Sequence, residues 1–128
     1  MNLKIKVAIV EDKKLFRQGL VTLLEEFDKF EIVNESSNGL EIIEWLKNNM
    51  ADIIVMDMQM PEMDGYAATD RIREWERAEH KSPIPIIALT AHALSEDRQK
   101  SLKAGCNDHI AKPFKKDTLL GVINKYSL

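Results

Sequence analysis

Cysteine is nearly missing from this chain. Cys106 is the one thiol among 128 residues, so no internal disulfide can form, which fits a reducing compartment. No covalent staple is needed, because a chain of this size buries roughly two thirds of the surface that its unfolded form exposes. Long apolar runs are missing as well. No stretch approaches the ~18 residues of a membrane span. The apolar part of "MNLKIKVAIVEDKK" is too short for a secretory signal and runs straight into charge. Positive charge is not in excess: 18 Lys and Arg against 21 Asp and Glu leave a net charge of −3, which argues against a nucleic-acid-binding surface. Linkers, internal repeats and low-complexity tracts are absent too. The expectation is one cytoplasmic globular domain over residues 1–128, with no direct nucleic-acid contact and no membrane contact.

What is present is a strict alternation. "KVAIV" (6–10), "FEIVNES" (30–36), "DIIVM" (52–56), "IPIIALT" (84–90) and "DHI" (108–110) have the character of strands. The third and fourth are almost continuously apolar, the mark of strands covered on both faces. Between them, apolar residues recur at helical spacing: Phe16, Leu20, Leu23, Leu24 and Phe27; Ile42, Ile43, Leu46 and Met50; Ala68, Ile72 and Trp75; Leu119, Val122, Ile123 and Tyr126. Asn38 with Glu41 forms a capping-box variant ahead of the second helix, and Asp64 suits the cap of the third. The weakest helix is 94–104, where Leu94, Leu102 and Ala104 are the only apolar positions and Gly105 suits the end. Five βα units with short connections imply a parallel sheet with helices on both faces.

The acids have a pattern of their own. The first strand runs into Glu11-Asp12, the third into Asp57, the fourth into Thr90, and Lys112-Pro113 follow the fifth. In such sheets ligands bind beyond the carboxyl ends of the strands. An acid at a strand end is often only a turn-former, but the coincidence of these residues at one edge points to chemistry. If the first and third strands are neighbours, three carboxylates crowd one pocket. Two carboxylates 4 Å apart repel by about 4 kcal/mol at an effective dielectric of 20. A hard divalent cation relieves that repulsion, and carboxylate oxygens are the ligands that Mg²⁺ takes. A carboxylate nucleophile, a metal, a lysine and a hydroxyl together suit phosphoryl transfer.

These residues, with "MPEMDG" (60–65), "LTA" (89–91) and "KPF" (112–114), resemble the receiver domain of two-component response regulators over nearly the whole chain. The resemblance implies an α/β, flavodoxin-like, doubly wound fold: a five-stranded parallel sheet of order 2-1-3-4-5 with five helices. It implies that Asp57 is the phosphoacceptor, with Glu11, Asp12, Asp57 and the backbone carbonyl of Gln59 holding Mg²⁺. Thr90 would be the switch hydroxyl, Ala91 would offer a backbone N–H to the phosphoryl group, and Lys112 would pair with its oxygens. The Lys112-Pro113 bond is expected to be cis. The expected partner is a histidine kinase or a histidine phosphotransfer protein, with a transient dimer possible. Autodephosphorylation would be slow, and the domain would be a phosphoacceptor rather than an enzyme proper.

Two features depart from the family pattern or tune it. His109 stands where the family usually carries Tyr or Phe, three residues before the lysine, which makes it a polar candidate for the switch partner of Thr90. Gln59 and His92, two residues beyond Asp57 and Thr90, flank the entrance and are expected to tune the phosphoryl lifetime. The chain also has a mosaic look. "LFRQGLVTLLEE" and "SSNG" resemble receivers of DNA-binding regulators, whereas "IIALTAHALSEDRQKSLKAGCNDHIAKPF" resembles receivers of hybrid histidine kinases, the reading preferred here. Three rivals fare worse. A flavin carrier needs a glycine-bearing phosphate loop where "EDKKLF" has none. An aspartate-nucleophile phosphatase needs an acid where Gln59 stands. A pseudo-receiver serving only as an interaction module should lack the acceptor or the lysine, and both are present.

Overall fold

The computed structural model describes residues 4–91 and 94–126. Strands and helices alternate: β1 (Ile5–Val10), α1 (Lys14–Glu25), β2 (Phe30–Ser36), α2 (Gly39–Leu46), β3 (Ile53–Asp57), α3 (Gly65–Ala78), β4 (Ile86–Thr90), α4 (Ser95–Ala104), β5 (Asp108–Ala111) and α5 (Lys116–Lys125). All strand pairs are parallel, and the sheet order is β2-β1-β3-β4-β5. The parallel, helix-flanked sheet expected from the alternating pattern is observed, in the strand order that the family resemblance implies. Among the described residues no helix is long and apolar enough to cross a membrane.

Alternation along the strands divides the core in two. Ala8, Val10, Ile54, Met56, Ile86 and Ala88 pack with Ile42, Leu46, Ala68 and Ile72 on the α2/α3 side. Val7, Ile9, Ile53, Val55, Ile87, Leu89 and Ile110 pack with Leu20, Leu24, Leu119 and Ile123 on the α1/α5 side. The register sets Val10 beside Met56, so the next residues, Glu11 and Asp57, reach the sheet edge side by side. Both continue the α1/α5 alternation (7, 9, 11 and 53, 55, 57), and Lys112 continues it from Ile110. Thr90 continues the opposite alternation (86, 88, 90), as does His109. Strand parity alone thus sorts the polar tips into an acid–lysine group and a Thr–His pair.

Local chemistry explains the boundaries. Asp64 Oδ1 accepts from Ala67 N at 2.8 Å and starts α3. Asn38 Oδ1 accepts from Glu41 N at 3.0 Å, while Glu41 reaches back to Ser37 N at 2.7 Å, closing the box one residue before the cap. Two sequence expectations need correction. Met50 does not extend the α2 stripe: the helix ends at Leu46, Asn49 Nδ2 caps the Trp45 carbonyl at 2.9 Å, and Met50 is 78% exposed. The fourth strand begins at Ile86 rather than residue 84, because Pro83 and Pro85 supply no ladder N–H. Helix α4 forms despite burying only Ser101. Gly105, at φ +112°, ends it, with its carbonyl taking a 3.0 Å bond from Arg73 Nε.

Candidate functional site

The carboxyl edge of β1 and β3 gathers three acids. Glu11 is fully buried, Asp57 is 2% exposed and Asp12 is half-buried. One ligand oxygen from each lies within 4.8 Å of the others, close enough to share one metal ion. Lys112 Nζ stands 3.4 Å from Asp57 Oδ2 and 3.7 Å from Glu11 Oε1. The five-residue strand β3 is buried throughout and acts as a rigid mount for Asp57.

The loop after β3 is held tightly. Gln59 N donates to Asp57 Oδ1 at 3.1 Å, and Met58 N bonds to the Leu89 carbonyl at 2.9 Å. Gly65 N closes the loop on the Met58 carbonyl at 3.0 Å. A Cβ on Gly65 would lie 2.6 Å from the Asp57 carbonyl oxygen and 2.8 Å from Met58 Cα, so only glycine lets α3 start this close to β3.

Electrostatically the pocket is short of positive charge. Both carboxylate oxygens of Glu11 and Oδ1 of Asp12 are buried without a hydrogen-bond partner among the described residues. Burial first, and then the Asp57 carboxylate beside it, push Glu11 up to about 8 from its ordinary 4.5, with Lys112 pulling the other way. Buried acceptor oxygens without donors are what a hard cation binds, so this donor set fits a divalent metal ion.

The structure places the other residues expected from the sequence, His92 excepted. Thr90 ends β4, and its Oγ1 lies 2.6 Å from His109 Nε2, the pair on the α4 side of the sheet. Ala91 follows, exposed, while His92 lies outside the described residues. Gln59 is exposed at the rim. Lys112 N bonds to the Thr90 carbonyl at 2.7 Å, and the Lys112-Pro113 bond is cis.

Two neighbours of the site were not singled out from the sequence. Phe16 lies beneath Lys112, with Nζ 4.3 Å from its ring centroid, and packs edge-on against Phe114 at 6.0 Å. In the sequence it reads only as part of a helical stripe, and no spacing ties it to the lysine. Arg17 Nη1 donates to the Glu11 carbonyl at 2.7 Å. Nothing in its spacing marks it out, because its partner is a backbone atom.

Known proteins are similar to this chain in sequence and fold. The family model described as "Response regulator receiver domain" matches residues 7–124. The chain is 34% identical over 122 residues to the sensor histidine kinase GacS of Pseudomonas protegens, a match covering 95% of this chain and 13% of that protein's length. Among solved structures it is similar to the receiver domain of the sensor histidine kinase PA1611 from Pseudomonas aeruginosa, which holds a magnesium ion in its active-site cleft (TM-score 0.82, 32% identity, 96% of this chain and 97% of that one). It is also similar to the receiver domain of Ssk1 from Saccharomyces cerevisiae, crystallised with the histidine phosphotransfer signaling protein Ypd1 (TM-score 0.90, 30% identity, 99% of this chain and 91% of that one). The family match runs from β1 into α5 and leaves no element of the fold outside it: this chain belongs to the response regulator receiver domain family.

Proposed function

We propose that Asp57 accepts a phosphoryl group from a phosphohistidine on a partner histidine kinase or histidine phosphotransfer protein. The observation that carries this reading is the placement of the Asp57 carboxylate: it stands at the tip of a wholly buried strand, 3.4 Å from Lys112 Nζ and within one ion's reach of two further acids. An Asp57 oxygen attacks phosphorus in line, forming an acyl phosphate. The phosphorus–nitrogen bond breaks, and its electron pair stays on the imidazole. Lys112 pairs with the incoming phosphoryl oxygens and stabilises the charge they carry in the transition state. Glu11, Asp12, Asp57 and the Gln59 carbonyl hold Mg²⁺, which when bound neutralises charge on the transferring oxygens. The magnesium ion in the PA1611 receiver supports that choice of ion, and the Ypd1–Ssk1 complex supports that class of partner.

The phosphoryl group adds about −1.5 to −2 charges on this edge of the sheet. Thr90 turns toward it and gives up its bond to His109, while the Ala91 N–H donates to a phosphoryl oxygen. Gln59 at the rim, and His92 two residues beyond Thr90 in the sequence, set how readily water attacks the acyl phosphate. The test is mass spectrometry after incubation with Mg²⁺ and acetyl phosphate. The chain should gain one phosphoryl mass, and Asp57→Asn should gain none. An equal gain by Asp57→Asn would end this reading.

A further inference from the structure

We infer that Arg17 is the positioning residue of the metal-binding pair, clamping the peptide that joins Glu11 to Asp12 and so fixing where two of the three carboxylates point. This inference rests on the divalent-ion site proposed above.

The ladder between β1 and β3 ends at Val10, so Glu11 is the first residue past that pairing. Its N–H still bonds to the Ser36 carbonyl at 2.9 Å. Its carbonyl oxygen receives Arg17 Nη1 at 2.7 Å. That carbonyl belongs to the planar unit spanning the two α-carbons of Glu11 and Asp12. Holding its oxygen therefore sets the tilt of the plane from which both side chains leave. Side chains on a helix sweep toward its N-terminus, so Arg17, in the first turns of α1, curls back over the loop it holds.

The guanidinium also faces an acid at ion-pair distance, without a hydrogen bond. Its Nε faces Glu35 Oε1, on β2, at 3.5 Å, and the Arg17 side chain is 18% exposed against 45% for Glu35. With Glu35 balancing its charge, Arg17 serves the acids by geometry rather than as their counter-ion. The geometry matters because Mg²⁺ demands near-octahedral ligands at about 2.0–2.1 Å and tolerates little drift in the loop presenting them. A lysine keeps the charge but reaches with a single point donor and loses the two-sided fork.

The test is calorimetric titration of the full chain with Mg²⁺, each variant first shown to be folded by a cooperative melt. Arg17→Met is expected to weaken Mg²⁺ binding about tenfold, the scale of outer-shell changes at metal sites. Arg17→Lys should restore part of the loss, and Glu35→Gln should cost less than Arg17→Met. Folded Arg17→Met with an affinity within twofold of the unchanged chain would overturn the inference; should that variant not fold, an unchanged affinity in Arg17→Lys does the same. Asp12→Asn separates the two levels. If the unchanged chain takes up no Mg²⁺, or Asp12→Asn binds it equally well, both the metal site and the clamp are wrong. If Asp12→Asn abolishes binding while the Arg17 variants keep it, the clamp alone is wrong.

Discussion

Glu62, exposed in the "MPEMDG" loop, holds φ at +66°. A side chain in that left-handed region costs about 1–2 kcal/mol, and asparagine tolerates it better than glutamate. Glu62→Asn should therefore stabilise the chain by roughly 0.5–1 kcal/mol, read as a higher urea midpoint. A lower midpoint would show that Glu62 makes a contact worth more than the strain. The strain sits one residue beyond Pro61 and two before Asp64, in the turn that carries the chain from β3 into α3. At this scale the acids and the lysine were legible from the sequence, because each alone has an innocent explanation but their coincidence at the tips of strands sharing one edge does not. Phe16 and Arg17 were not. One supports Lys112 through a ring face and the other bonds a backbone oxygen, and neither interaction leaves a pattern in the sequence.

Among the elements, α4 shows best how a helix can form with almost no core. It buries only Ser101, carries Glu96 and Asp97 in its first turn, and is fastened at its far end. Cys106 N returns to the Ser101 carbonyl at 3.0 Å. Arg73 reaches from α3 to the Gly105 carbonyl, to Asn107 Oδ1 at 2.9 Å and to buried Glu76 at 2.7 Å. A Cβ on Gly105 would meet Arg73 Cγ at 2.9 Å, and Arg73 is tied on three sides. Gly105→Ala should therefore destabilise the chain by about 1–2 kcal/mol from backbone strain, and by more if Arg73 is displaced. Denaturant unfolding checks this, and an unchanged midpoint would contradict it. Helix α4 is faint in the sequence because its anchors are distant polar groups rather than an apolar stripe. By contrast β3 and β4 were plain from composition. The α2 boundary was misjudged because Met50 kept the helical spacing while the chain had already turned away.

For the molecule as a whole, the buried Glu11 links stability to pH. Its folded value of about 8 lies above the unfolded 4.5, so the folded form retains a proton that the unfolded form has released. Stability from this group is complete below about 4.5 and is lost as pH rises toward about 8. Melting temperatures taken with a chelator present should fall across that window, and Glu11→Gln should flatten the slope and melt higher at its upper end. Parallel profiles for the two proteins would show that Glu11 does not govern the trend. The assembly of the edge also has a direction in time. Its three acids lie at positions 11, 12 and 57, and its cation arrives only with position 112, carried by the last strand of the sheet. A growing chain thus holds the three acids of this edge before the lysine that faces them. The edge therefore stays purely anionic until β5 has been made, and a chain stopped before that point has no lysine to offset its three acids.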